Sequence, residues 1–176
     1  MSAKININFK EKKWSNINLK KISKKAFKST FKILAYSKIY KFVEVSILAC
    51  NDKQIKHYNK IFRNYNKSTN VLSWPRSHKI DYRNILDRKD ISFLISQTEG
   101  TLDIGDIAIS YDKCLKESKE LDIYFENYII HMFIHSCLHL LGFDHQKKSE
   151  FKIMKEIEIK SLQECGIINP HQIIFY

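Results

Sequence analysis

Residues 135 to 145 read HSCLHLLGFDH, and this run constrains the fold more than any other stretch of the chain. Two histidines four residues apart stack on one face of a helix, so His135 and His139 can aim at a single ion. Gly142 can then end the helix, because glycine takes the left-handed conformation just past the last helical residue at little cost. The resulting turn lets His145 swing back as a third ligand. The helix that carries this run, placed from about Asp122 to Leu141, is apolar nearly all round, which predicts a buried position at the centre of the core.

The extended zinc-protease pattern H-E-x-x-H-x-x-G-x-x-H has the same spacing of histidines and glycine, and it points to one zinc ion on His135, His139 and His145. The glutamate of that pattern is Ser136 here. A serine hydroxyl is too weakly basic to take a proton from water as that glutamate does, which opposes peptidase or amidase chemistry while leaving the metal site intact. Three protein ligands also leave a coordination position open, which argues against a purely structural zinc. The competing reading is three core histidines with no metal. His131, one turn before His135, is either a hydrogen-bonding support for a ligand or a packed core residue. Cys137 points away from the two helical histidines and reads as core.

At 176 residues the chain suits one domain spanning positions 1 to 176. Its four cysteines show no C-x-x-C pair, which fits a reduced, cytoplasmic compartment. The first residues lack the apolar core of a signal peptide, and the longest apolar run falls short of the ~20 residues of a membrane span. A soluble protein is expected. The net charge of +11 is uneven: residues 1 to 67 carry 17 Lys and Arg against 3 Asp and Glu. Such asymmetry suits a polyanionic partner, nucleic acid first among them. A solvated lysine surface, enlarged by a bias towards Lys, Ile and Asn along the whole chain, explains it equally well. Lys20, Lys24, Lys28 and Lys32 recur every four residues and could meet RNA phosphates or simply face water.

Hydrophobic periodicity predicts strands at residues 4 to 9, 43 to 50, 71 to 75 and 102 to 110, the last with a bulge or close backbone approach at Gly105. It predicts helices from Asn18 to about Tyr36, burying Leu19, Ile22, Ala26, Phe27, Ile33 and Leu34, and from Asp52 to about Phe62. Further helices are expected from Asp112 to about Glu120, from Asp122 to Leu141, and from about Ser149 to Cys165, ended by Gly166. Residues 76 to 101 read as an irregular excursion with a short element around ISFLI. The class is α+β: a small mixed sheet packed against helices, with the histidine helix buried at the centre.

Several stretches together resemble one family. HSCLHLLGFDH is similar to the H-G-x-L-H-L-x-G-Y-D-H run of the YbeY family, bacterial and organellar metal-dependent endoribonucleases of ribosomal RNA maturation. NKIFRNYNKSTNVLSWP resembles its upstream block of asparagine, arginine and T-[DN]-V-L-S-F-P, and GDIAIS resembles its G-D-[IV]-x-I-[SC] strand. The likeness covers roughly residues 40 to 166, with Ser136 in place of glycine, Trp74 in place of phenylalanine and a longer segment 76 to 101. It implies zinc on the three histidines, an arginine needed for RNA cleavage at Arg63, and single-stranded RNA as substrate. It also implies action at the 3′ end of small-subunit ribosomal RNA and in ribosome quality control, with the ribosome as partner. The planar fork of Arg63 would suit two phosphate oxygens at once, although an arginine there also serves as an ordinary surface residue. Asp144 is open between orienting a ligand and stabilising a turn, and Asn70 and Ser73 between meeting substrate and satisfying backbone groups.

Overall fold

The segment Val43–Cys50 (β2) is rich in β-branched residues and buries Val43, Val45, Ile47 and Ala49 on one face. In the computed structural model, described over residues 3–37, 39–76, 82–87 and 101–167, β2 pairs in parallel with Lys4–Phe9 (β1) and with Leu102–Ser110 (β4). Val71–Pro75 (β3) runs antiparallel to β4 and forms one edge of the sheet, whose order is β1-β2-β4-β3. The register of β2 on β4 slips between Glu44 and Val45, opposite Gly105. Gly105 has φ +127°, and a Cβ there would lie 2.1 Å from the Trp74 carbonyl oxygen, so the expected bulge and the expected close approach are both present.

Two layers cover this sheet. Leu19–Ile33 (α1), Phe125–Leu140 (α5) and Lys148–Glu164 (α6) build the main core on the face that carries Val45, Ile47, Ile107 and Ile109. Helix α5 has buried residues on every side, from Tyr128 through Leu140, as its apolar composition requires. Phe133 is sealed there and meets Phe27 of α1 edge-on at 6.0 Å between ring centroids. The opposite face is thinner: Asp52–Arg63 (α2) places Ile55 against Cys50, Leu72 and Ala108, with Leu48, Tyr58 and Trp74 packed around them. Tyr111–Glu120 (α4) links β4 to the turn before α5. This is the α+β class expected, with the histidine helix central.

The helix starts differ from expectation, for one reason. Cap chemistry points to Asp52, Asp112 and Asp122 as the residues that open these helices, but other residues occupy the cap positions. Asn51 caps α2, with a reciprocal box between Asn51 and Gln54. Ser110 precedes α4, while Asp112 lies inside it and pairs with Lys13 at 2.7 Å. Helix α5 begins at Phe125 after Tyr124, and Asp122 sits in a left-handed turn with φ 53°. Helix α1 is capped by Asn18 as expected but stops at Ile33, because Ala35 takes φ 65° and the Tyr36 N–H donates to the Phe31 carbonyl at 2.8 Å. No glycine marks that stop. Phe31 joins the expected buried face, and so do Ser23 and Thr30, whose hydroxyls donate to carbonyls one turn back. Within the interval 76 to 101 a short helix, Tyr82–Leu86 (α3), packs Tyr82 against Phe143 at 5.3 Å. The element expected around ISFLI lies outside the described residues.

Candidate metal centre and its cleft

Helix α5 delivers His135 and His139 one turn apart, with ring centroids 4.5 Å apart and Nε2 atoms 3.0 Å apart. The helix closes at Gly142, which has φ 82°, as the Phe143 N–H donates back to the Leu138 carbonyl at 3.0 Å. Phe143 is buried and pins the turn, and its carbonyl accepts a hydrogen bond from His139 Nδ1 at 3.0 Å. The chain then returns His145 to ring-centroid distances of 5.5 Å from His135 and 5.1 Å from His139. One ligand atom from each of the three histidines lies within 4.8 Å of the others. The tripod expected from spacing is thus assembled in space.

A residue that spacing along α5 could not reveal completes the arrangement. Glu158 of α6 is fully buried, and its Oε1 accepts from His135 Nδ1 at 2.8 Å while its Oε2 lies 3.5 Å from His131 Nε2. Burial alone would raise the Glu158 carboxyl, but His131 beside it and the hydrogen bond with His135 outweigh it and hold the group well below the usual carboxylate range. His131, Glu158 and His135 also cluster closely enough to hold an ion themselves. With His135 Nδ1 already donating to Glu158, they serve better as a support behind the tripod. His131 therefore lies beside the carboxylate that accepts from His135.

These bonds decide the protonation pattern of the tripod. Phe143 O and Glu158 Oε1 can only accept, so Nδ1 of both His139 and His135 must carry a hydrogen. Burial lowers His135 below the ordinary histidine range against the pull of Glu158, and burial together with His135 and His145 pushes His139 down to about 4. Both rings are neutral near pH 7, and their Nε2 lone pairs face each other at 3.0 Å. That contact is repulsive unless a cation lies between the nitrogens, and a divalent metal fits the donor set.

The histidines open into a cleft of about 650 Å³. Arg63, the last residue of α2, lines it with Ser73 and Pro75 of β3. The turn after Arg63 is fixed: Asn64 caps α2 in a left-handed conformation, and the buried Asn59 side chain donates to the Lys67 carbonyl at 2.8 Å. Asn70 also lines the cleft, but its amide donates to Glu117 at 2.9 Å and to Tyr128 at 3.1 Å while its Oδ1 accepts from the Val71 N–H at 2.7 Å, so it holds the strand end in place. Asp144 Oδ1 accepts from the His145 N–H at 2.7 Å and stabilises the returning turn.

Other sequence candidates lie elsewhere. Ser136 is fully buried and does not line the cleft, so its hydroxyl faces the core and is not positioned to tune a metal. Cys137 is core, as expected, and all four thiols are buried and free, with Cys50 pushed up to about 12 chiefly by burial. Among the described residues none of α1 lines the cleft, which sets the lysine stripe apart from it, and Lys32 pairs with Glu164 at 2.6 Å. No helix among the described residues is long and apolar enough to cross a membrane.

Residues 5–166, which include every side chain of the cleft and Glu158, match the family described as Endoribonuclease YbeY. The chain belongs to the YbeY family. A YbeY relative from Ruegeria sp. (strain TM1040), named Endoribonuclease YbeY, is 33% identical over 170 residues, 95% of each chain. A Thermotoga maritima protein solved in solution has the same fold, with a TM-score of 0.52 and 22% identity over 92% of this chain and 91% of its own. For the YbeY member described here, Glu158 is the site residue that sequence reading missed. A signal was present: Met154, Ile157, Ser161 and Leu162 form the buried stripe of α6, and Glu158 falls on that stripe, whereas Glu156 faces out and pairs with Lys160 at 2.6 Å.

Proposed function

We propose that this chain is a metal-dependent endoribonuclease that cuts single-stranded RNA, with one zinc ion held by His135, His139 and His145 and with Arg63 as a catalytic group. The observation that carries this reading is the pair of Nε2 atoms 3.0 Å apart in a cleft that Arg63 also lines. Membership of a family described as Endoribonuclease YbeY supports RNA as the substrate. It also supports ribosomal RNA of the small subunit, its 3′ end and ribosome quality control as the setting, in the cytoplasm and in contact with the ribosome. The whole chain, residues 1 to 176, acts as one domain in this reading.

When bound, zinc supplies Lewis acidity, which makes water a competent nucleophile near neutral pH and stabilises charge on a phosphoryl group. The chain's own groups do the rest. Glu158 and the Phe143 carbonyl hold the rings of His135 and His139 in one tautomer, which turns their Nε2 lone pairs towards the same point. Arg63 meets the phosphodiester within the same cleft, where its fork can pair with two non-bridging oxygens as negative charge grows on them. Among the described residues lining the cleft, Asp144 carries the sole carboxylate, and its Oδ1 is engaged by the His145 N–H. The buried Ser136 stands where a peptidase of this spacing has its glutamate, which favours phosphodiester over peptide chemistry.

Purified protein incubated with single-stranded ribosomal RNA should cut it, and a chelator should stop the cutting until zinc is restored. Casein should stay intact. Degradation of casein that disappears in His139→Ala, with RNA untouched, would replace this reading by a peptidase.

A further inference from the structure

Large apolar side chains are exposed at six described positions, and three of them fall within five residues at the end of α2: Ile61 at 58%, Phe62 at 61% and Tyr65 at 62%. Scattered apolar residues are ordinary on a protein surface, but a concentration of this kind marks a contact site. Phe62 is held in place from behind. Its ring stacks on Tyr58 at 6.4 Å and 16° and meets Trp74 at 5.3 Å and 65°, and Tyr58 and Trp74 are themselves packed on the small core under α2. One side of the Phe62 ring is therefore fixed and the other is open to solvent.

The surrounding charge selects the occupant. Residues 52 to 67 contain Lys53, Lys56, Lys60, Arg63 and Lys67, all exposed, against one carboxylate, Asp52, which accepts a hydrogen bond from Ser110 Oγ at 2.6 Å. Rings interleaved with cations are the composition that binds single-stranded nucleic acid, where bases stack on aromatic faces and phosphates meet the cations. The patch is also continuous with the cleft. Arg63 follows Phe62 directly and lines the cleft with Ser73 and Pro75, while Trp74, between those two on the edge strand, turns to the α2 side.

We propose that the end of α2 is a base-stacking subsite, in which Phe62, backed by Tyr58 and Trp74, takes an unpaired nucleobase of the strand whose phosphate meets Arg63. This rests on the RNA-cleaving reading above. It makes the preference for single strands a property of this chain: a paired base is already stacked within its duplex and cannot turn onto the ring.

The test is fluorescence anisotropy of the zinc-loaded protein with a short labelled single-stranded RNA and with the same RNA in a duplex. Phe62→Ala should weaken single-strand binding by roughly five- to hundredfold, with little effect on the weaker duplex binding. Phe62→Trp should retain the affinity. Phe62 is largely exposed, so both variants should fold, which zinc content and circular dichroism will verify. In a series of RNAs each lacking one base, wild-type protein should lose affinity at one position where Phe62→Ala loses nothing further. Equal single-strand affinity of Phe62→Ala and wild type, in a wild type that binds and cuts RNA, would overturn the stacking subsite alone and leave the patch to a protein partner. Wild-type protein that neither binds nor cuts RNA would overturn the nuclease reading as well.

Discussion

Arg63 and Glu158 illustrate two ways in which one side chain can matter to the same cleft. Arg63 is exposed and lines the same cleft as the histidines, where it can meet charge that grows on a phosphodiester during cleavage. Arg63→Ala should then keep its zinc and most of its RNA affinity while cutting about a hundredfold more slowly, the usual scale for losing one such donor. Arg63→Lys should restore little, because an ammonium lacks the two-pronged geometry. Single-turnover cleavage rates measure both, and a wild-type rate in Arg63→Ala would remove the residue from the mechanism. Glu158 is buried behind His135 and acts through it. Glu158→Gln preserves the shape but loses the charge that strengthens His135 as a donor, so zinc affinity should fall roughly 10–100-fold in a chelator competition. Unchanged affinity would reduce Glu158 to a packing residue.

At the scale of elements, the edge strand β3 supplies one wall of the cleft through Ser73 and Pro75, and its alignment depends on the bulge opposite. Gly105 faces Pro75 across the ladder, and an added Cβ would collide with the Trp74 carbonyl and crowd the Arg76 N–H. Gly105→Ala should destabilise the protein by more than about 2 kcal/mol in urea denaturation, since the strained φ and the backbone collision act together. A loss of a few tenths would mean that the strand shifts freely. The strands were legible in the sequence because alternation and β-branched content are local properties, and all four match the expected ranges. Helix starts were less legible. Asp52, Asp112 and Asp122 each have cap chemistry, but a cap needs the right backbone as well, and a neighbouring residue occupies that position in each case.

Across the whole molecule, the core is built by the sheet and by helices α1, α5 and α6, while the tripod sits at the rim where α5 ends. The ion should therefore add to stability without being required for the fold. At a free zinc concentration 100 times the dissociation constant the gain is about 2.7 kcal/mol, which for a chain of this length corresponds to roughly 5–10 °C in melting temperature. Scanning calorimetry after dialysis against a chelator should show a cooperative transition lowered by that amount. An unfolded apo protein would instead make the zinc structural.

What the sequence determined by itself was the part that lies within one turn or one element. The spacing of His135, His139, Gly142 and His145 places three imidazoles together whatever the rest of the chain does, because helix pitch and a left-handed glycine are local. The apolar surface of α5 likewise required a central position. Only the tertiary structure decided what stands around the tripod. It brings Glu158 from 23 residues away to His135, and it separates the lysines of α1 from the cleft while bringing Arg63 into the cleft of the histidines. It also turns Phe62 onto Trp74 of the edge strand. Each of these pairings depends on how helices pack over a shared sheet, and packing is set by the summed burial of many side chains that no short stretch of sequence contains.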